Sequence, residues 1–379
     1  MLTLISFMVG TSQFVIVGIL DKVAASVGVS VSSAGQLITA FALANAIGTP
    51  LVIMATAKMY QSKQLLLALV ILLLGIVSTL ALPGFGFLIA SRAILGVGTG
   101  VFIVTAYAIT AKLASPGHQG KAMSNISMGF SASLVFGVPI GRVITAAYDW
   151  QVIFWGIGLF SLLGIFVVAR TIPAMAGDAP VPLGKQFALL KKPNIAAALS
   201  VTFFVFISYS IFNTYITPFL VSVKSMSEQE MSSILFALGI ASLIGSKLGG
   251  FLADRIGVTR TLVGSMAIQT LALALLPPAS SSVIITIMLI MIWATSAWVF
   301  GLTQNINIVS LAPEASGIML SLNSSFVQLG FAAGAGIGGV AMASCPIMAI
   351  SWIGAASVAF AACIAVFSFG FVRSLLIVR

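Results

Sequence analysis

Long apolar runs broken by short polar gaps make up most of this chain. A run of about 18 or more apolar residues is long enough to cross a bilayer as a helix. Read that way, spans are expected at roughly 3–20, 33–55, 64–82, 86–111, 122–146, 152–170, 193–219, 231–252, 260–277, 282–307, 317–342 and 347–371. One window, 171–192, interrupts the pattern at length. It carries Pro173, Asp178, Pro180, Pro182, Lys185, Lys191 and Lys192 and reads as a linker. The expected fold is an all-α membrane protein: twelve transmembrane helices in two six-helix bundles, residues 1–170 and 193–379, joined by a cytoplasmic linker at 171–192.

The two halves echo one another. Gly48 through Lys58 repeats the glycine-to-cation spacing of Gly245 through Arg255, Gly137-Val-Pro139-Ile-Gly141 matches Gly334-Ala-Gly336-Ile-Gly338, and Ser115-Pro116 matches Ala312-Pro313. All three pairs share one offset (245 − 48, 334 − 137 and 312 − 115 each give 197), which indicates a duplicated chain.

Charge fixes the orientation. With the N-terminus inside, the inner loops and tail hold Lys58, Lys63, Lys112, Lys121, Arg170, Lys185, Lys191, Lys192, Arg255, Arg260, Arg373 and Arg379. The outer loops hold only Lys22 and Lys224, beside Asp21, Asp149, Glu228 and Glu230. The excess of cations on one side places both termini and the linker in the cytoplasm.

Composition narrows the class further. The chain is 60% hydrophobic and 6% charged, with a mean hydropathy of +1.20, whereas a soluble domain is about 25% charged. A net charge of +10 raises the question of nucleic acid, but the cations sit in short gaps and form no stripe, so no nucleic-acid partner is expected. Cys345 and Cys363 lie in apolar surroundings without metal spacing and read as packing residues. The first apolar run lacks a small-residue cleavage site, so no cleaved leader is expected. His118, the one histidine, falls in an inner loop, and neither a nucleophile elbow nor a phosphate loop occurs. Neither catalysis nor a cofactor or metal site is expected.

Three stretches carry a family resemblance. Gly249-Gly-Phe-Leu-Ala-Asp254-Arg255-Ile-Gly257 resembles the loop signature of the major facilitator superfamily, in its second-half position. Arg92-Ala-Ile-Leu-Gly96-Val-Gly98 resembles its fourth-span signature, and Gly129 with Gly137-Val-Pro139-Ile-Gly141 resembles the fifth-span signature of the twelve-span drug:proton antiporters. Ser33-Ala-Gly-Gln-Leu-Ile38, Tyr215-Ile-Thr-Pro-Phe-Leu220 and Ala312-Pro-Glu-Ala-Ser316 are similar to bacterial purine-base and arabinose efflux pumps. The resemblance implies alternating access in a bacterial cytoplasmic (inner) membrane, with gating at Gly137, Pro139, Gly141, Asp254 and Arg255. Three departures stand out: Ala57 replaces the usual loop aspartate of the first half, Gln13 stands where related pumps often carry glutamate, and Arg142 follows the fifth-span signature where an uncharged residue is usual.

Charges inside spans cost about 2.5–3.5 kcal/mol on insertion scales and are functional candidates. Arg92 and Arg142 fall in the outer halves of their helices, with Asp21 the nearest carboxylate by depth, so proton coupling is assigned to Asp21, Arg92 and Arg142. Lys247 is close enough to its helix end to snorkel. Substrate contacts are expected near mid-membrane from Gln13, Asn45, Arg92, Asn213, Tyr215, Trp293, Trp298, Asn323 and Gln328, and deeper toward the cytoplasm from Tyr107, Asn125 and Gln304. This set describes a neutral, amide- and aromatic-rich cavity with a positive outer rim.

The expected function is export of small polar solutes (nucleobase-, nucleoside-, sugar- or drug-like, hence multidrug resistance) by an antiporter with protons as the coupling ion. A monomer in the bilayer is expected. Gln13 and the arginine excess leave an alternative open: organic-anion or facilitated exchange without proton coupling. A transporter-fold membrane sensor would need a soluble output domain that a linker of about 22 residues does not supply.

Overall fold

A computed structural model describes residues 1–115, 119–175 and 189–377, with the side chains of 119–121 and 368–377 excepted. His118, Lys185, Arg379 and most of the linker lie outside the described residues, as do the side chains of Lys121 and Arg373. The helices are α1 (Leu2–Gly18), α2 (Leu20–Ser26), α3 (Val31–Ala34), α4 (Gln36–Ala55), α5 (Gln61–Ala81), α6 (Phe85–Leu113), α7 (Gln119–Ala132), α8 (Val138–Ala147) and α9 (Gln151–Thr171). After the linker come α10 (Pro193–Thr214), α11 (Ile216–Val223), α12 (Glu228–Ile256), α13 (Val258–Ala279), α14 (Val283–Leu311), α15 (Ser316–Ser344) and α16 (Ala349–Ile377).

Among the described residues, 11 helical stretches are long and apolar enough to span a membrane, and the bent pair α1–α2 raises the number to 12. The expected first span is not straight. It breaks at Ile19 and turns by 73°, so Asp21 and Lys22 sit on a separate short helix. The fifth span is also interrupted: a π-helical turn, Ser133–Gly137, separates α7 from α8, and Pro139 stands in the first turn of α8. Proline lacks the N–H that a helix interior needs, and an inserted residue in the ladder is one way to accommodate it.

Local signals set the ends. The Ser30 side chain accepts from the Ser33 N–H at 3.0 Å and starts α3. Ser227 and Glu230 form a reciprocal capping box at the head of α12: the Ser227 N–H donates to Glu230 Oε2 at 2.7 Å, and the Glu230 N–H donates to Ser227 Oγ at 3.2 Å. At the other end of α12, Gly257 takes φ +90°, a conformation costly for any residue with a Cβ, and the chain turns straight into α13.

By contacts the chain divides into two compact units. One holds Met1–Pro180 and Met226–Gly239; the other holds Val181–Ser225 and Ile240–Arg379. The opening turns of α12 thus group with the first unit and the rest of that helix with the second.

Close helix approach in the first unit depends on missing side chains. A Cβ on Gly96 would run into the Phe41 carbonyl, and one on Gly98 into the Leu72 and Ala68 main chain. Without hydrophobic attraction between helices in lipid, such small-residue seams supply the packing. In the second unit, Val201, Val205, Leu262, Met266, Phe300 and Val358 form one buried cluster, and Ile195, Leu199, Ile308, Met319 and Leu322 another. Large apolar side chains such as Leu159, Phe166, Leu271, Ile284 and Val340 face outward, as a lipid-facing surface requires.

Candidate functional site

The first unit holds two arginines inside the membrane pattern, and they are satisfied in different ways. Arg92 on α6 is 1% exposed. Its Nη1 donates to the Ser12 carbonyl at 2.9 Å and its Nη2 to the Gln13 carbonyl at 3.3 Å. The guanidinium also lies over the Phe41 ring, 4.9 Å from the centroid, a cation–π arrangement that gains when water is excluded. Its Nε is buried without a partner among the described residues.

Arg142, on α8, meets carboxylates instead. Its Nη1 donates to Asp21 Oδ1 at 2.5 Å and to the Gly18 carbonyl at 3.1 Å, and its Nε donates to Glu228 Oε2 at 2.6 Å. Lys22 Nζ closes the group onto Glu228 Oε1 at 2.6 Å. The break at Ile19 makes this geometry, because it swings Asp21 and Lys22 off the axis of α1. The Asp21 pairing therefore falls on Arg142 and not on Arg92. Asp21 is also not the sole carboxylate in contact with a span arginine, since Glu228 is a second. With two cations and two carboxylates, the group carries no net charge, so the expected positive outer rim is absent here.

Elsewhere in the first unit, Asn45 and Thr49 on α4 face Gly100 of α6; Asn45 Nδ2 and Thr49 Oγ1 are buried without a partner among the described residues. The Tyr107 hydroxyl and Ser127 Oγ are 2.6 Å apart, and Asn125 is exposed. Gln13 is half-buried, and Arg92 uses its main-chain carbonyl. Gly137 and Gly141 seat α8 and the π turn against Thr11 and Val15 of α1.

In the second unit a chain of neutral hydrogen bonds links α10, α14 and α15. Asn307 Nδ2 donates to Gln304 Oε1 at 3.2 Å, and Gln304 Nε2 donates to Thr202 Oγ1 at 2.9 Å and to the Ala198 carbonyl at 2.7 Å. Thr202 Oγ1 donates to Asn323 Oδ1 at 2.8 Å, and Asn323 Nδ2 donates to Asn305 Oδ1 at 2.8 Å. The chain is buried along its length and ends at the exposed Asn305. Beside it in sequence, Tyr209 stacks on Trp293 with centroids 5.2 Å apart and planes 19° apart, and Phe212 meets Trp293 edge-on at 4.9 Å. Trp293 is 1% exposed, and its Nε1 has no partner among the described residues. Tyr215 is fully buried, its hydroxyl donating to the Ala335 carbonyl at 2.9 Å. Asn213 and Trp298 are half-buried, and Gln328 is buried.

Comparison with known proteins decides the family. The sequence profile of the Major Facilitator Superfamily matches residues 2–335. The chain belongs to that superfamily. This facilitator is 43% identical over 357 residues to the "Uncharacterized MFS-type transporter YbcL" of Bacillus subtilis (strain 168), covering 94% of this chain and 92% of the relative. Among solved structures it is similar to a D-xylose-proton symporter, with a TM-score of 0.76 at 15% identity, covering 96% of this chain and 95% of the other. It is also similar to a bacterial homologue of the human lysosomal transporter Spinster in an inward-facing, occupied form, with a TM-score of 0.74 at 17% identity, covering 100% and 97%. At those identities the structural likeness speaks to fold alone.

The facilitator is thus a multi-pass membrane transporter and belongs to no enzyme class. In the last turn of α12, Asp254 and Arg255 are both exposed; Arg255 lies over the Phe251 ring at 5.7 Å, and no hydrogen bond or ion pair reaches Asp254 among the described residues. Two further contributors lie outside the sequence reading. Glu228 reads as an ordinary outer-loop acid 86 positions from Arg142, with no local signal for the pairing. Thr202 reads as one more small residue in an apolar span, yet it joins Gln304 to Asn323.

Proposed function

We propose that this facilitator exports small, neutral, polar solutes of nucleobase, nucleoside or sugar size from the bacterial cytoplasm by proton antiport, through alternating access. The observation that carries the solute class is the neutral hydrogen-bonded chain Asn307–Gln304–Thr202–Asn323–Asn305. Its donors and acceptors are amides and a hydroxyl, which match carbonyls, ring nitrogens and hydroxyls. A lipophilic cation would call for a carboxylate, and an organic anion for an uncompensated cation. Arg142 is already offset by Asp21 and Glu228, and the guanidinium of Arg92 is taken up by the Ser12 and Gln13 carbonyls.

Export and antiport rest on the resemblance of the Gly129–Gly141 run to the antiporter signature, supported by the glycine seats it makes on α1. Coupling is assigned to Asp21 with Arg142, because Gln13 cannot exchange a proton. Gln13 also supports a second reading, facilitated exchange of the same solutes without protons.

Solute counterflow in proteoliposomes tests the class without needing a proton gradient. Labelled nucleobase, nucleoside, pentose, aromatic carboxylate and quaternary ammonium are compared. Counterflow of one of the first three, reduced at least about tenfold in Asn323→Ala at equal protein content, is expected. Counterflow confined to the carboxylate or the quaternary ammonium would overturn the reading.

A further inference from the structure

We propose that Lys63 and Arg170 together hold the phosphate of an anionic phospholipid against the lipid-facing side of α5 and α9. The site lies on the first unit alone and is independent of the solute class.

The two helices set the cations level with each other. Gly158 of α9 lies against Ile76 of α5, where an added Cβ would come within 3.3 Å of the Ile76 Cγ2. At the other end of the pair the Gln61 N–H donates to the Met175 carbonyl at 2.9 Å, so α5 and α9 are antiparallel neighbours. Lys63 is 13 residues from Ile76 and Arg170 is 12 from Gly158 (76 − 63 and 170 − 158), about 20 and 18 Å along the axes at roughly 1.5 Å per residue. Both cations therefore come out at one depth, on packed helices whose axes are about 8–10 Å apart.

Both also lie on the outward sides of their helices. On α5 the exposed positions Lys63, Leu74 and Val77 fall on one side, and on α9 Leu159, Phe166 and Arg170 do the same, with Leu72 and Ile157 buried behind them. Each cation thus ends an apolar stripe that faces lipid.

Neither cation is spent on the protein. The Arg170 guanidinium lies 5.2 Å from the centre of the Phe166 ring, and Lys63 Nζ lies 5.7 Å from that of Tyr60; both rings are exposed. A ring under the face of a guanidinium leaves its N–H edge free for an oxyanion. Among the described residues no hydrogen bond or ion pair to another side chain reaches either cation, and the described acids of the first unit, Asp21, Asp149, Glu228 and Glu230, belong to the opposite helix ends. Two held cations without a counter-charge suit a phosphate diester: the arginine fork takes its two free oxygens and the ammonium adds a third donor. The acyl chains then run along Phe166, Leu159, Leu74 and Val77, a surface for which a free phosphate has no use. By the loop cations this is the cytoplasmic leaflet, and paired basic side chains at that level are suited to anionic headgroups.

The test is native mass spectrometry of the full chain, released from detergent and titrated with phosphatidylglycerol or phosphatidylcholine. The parent is expected to retain phosphatidylglycerol at least about tenfold more strongly than phosphatidylcholine, and inorganic phosphate is expected not to displace it. Lys63→Gln/Arg170→Gln is expected to lose most of that preference, whereas Lys191→Gln/Lys192→Gln, which removes equal charge outside the site, keeps it. Should the double variant not be recovered, Lys63→Gln alone is expected to lower retention about threefold. Equal retention of the two lipids by the parent would overturn the site. So would parental retention in the variant examined, or an equal loss in the Lys191→Gln/Lys192→Gln control. Displacement by inorganic phosphate would show an anion site without lipid and overturn the proposal.

Discussion

Arg92 donates to the main-chain carbonyls of Ser12 and Gln13, and among the described residues no carboxylate bonds to it. A planar guanidinium can bridge two adjacent carbonyls while stacking on Phe41; an ammonium cannot do both. Arg92→Lys is therefore expected to keep the charge yet lower transport at least about tenfold, with Arg92→Gln no worse. Rates normalised to membrane protein content check this. Near-parental transport by Arg92→Lys would show that charge alone matters there.

The glycine seams separate positions that look alike in sequence. Gly96 is packed against the Phe41 carbonyl, while Gly156 has no neighbour within 4 Å of a added Cβ. Overpacking costs about 1–3 kcal/mol. Gly96→Ala is expected to lower the thermal midpoint in detergent by several degrees, and Gly156→Ala to leave it unchanged or slightly raised. Equal midpoints for the two variants would contradict the seam.

Within the amide chain, Asn323 both accepts from Thr202 and donates to Asn305. Truncation to alanine strands buried partners, at about 1–3 kcal/mol. Asn323→Ala is expected to lower stability by that order and Asn305→Ala, at the exposed end, by much less. Scanning calorimetry of the two variants distinguishes them, and a larger loss for Asn305→Ala would mean the chain is organised otherwise.

If Asp21 carries the coupling proton, Asp21→Asn should lose accumulation of solute against its gradient while keeping equilibrative exchange. Around Asp21 stand Arg142, Lys22 and, through both, Glu228. Accumulation that persists in Asp21→Asn and still collapses with uncoupler would place coupling elsewhere.

Much of the fold was legible in sequence because membrane spans announce themselves locally: each needs its own apolar length. The seams were legible at Gly96 and Gly137, where small residues cluster. What escaped was non-local or conformational. Nothing around Ile19 marks a 73° turn, since no proline or glycine pair stands at the break itself. Pro139 signalled a bend, but the ladder absorbs it as a π turn one step earlier. Glu228 could not be joined to Arg142 because loop acids are common and the partner lies in a different span. Thr202 was silent for the opposite reason: hydroxyls in apolar helices usually bond their own backbone, as Thr11 does in donating to the Phe7 carbonyl at 2.7 Å.

The most direct measurement of the central claim is uptake into inside-out membrane vesicles of whichever neutral solute shows counterflow. With the lumen made acidic, uptake is expected to rise above equilibrium and to fall back to it on adding uncoupler. Uptake that reaches only equilibrium, with or without the pH gradient, would contradict proton antiport and leave facilitated exchange.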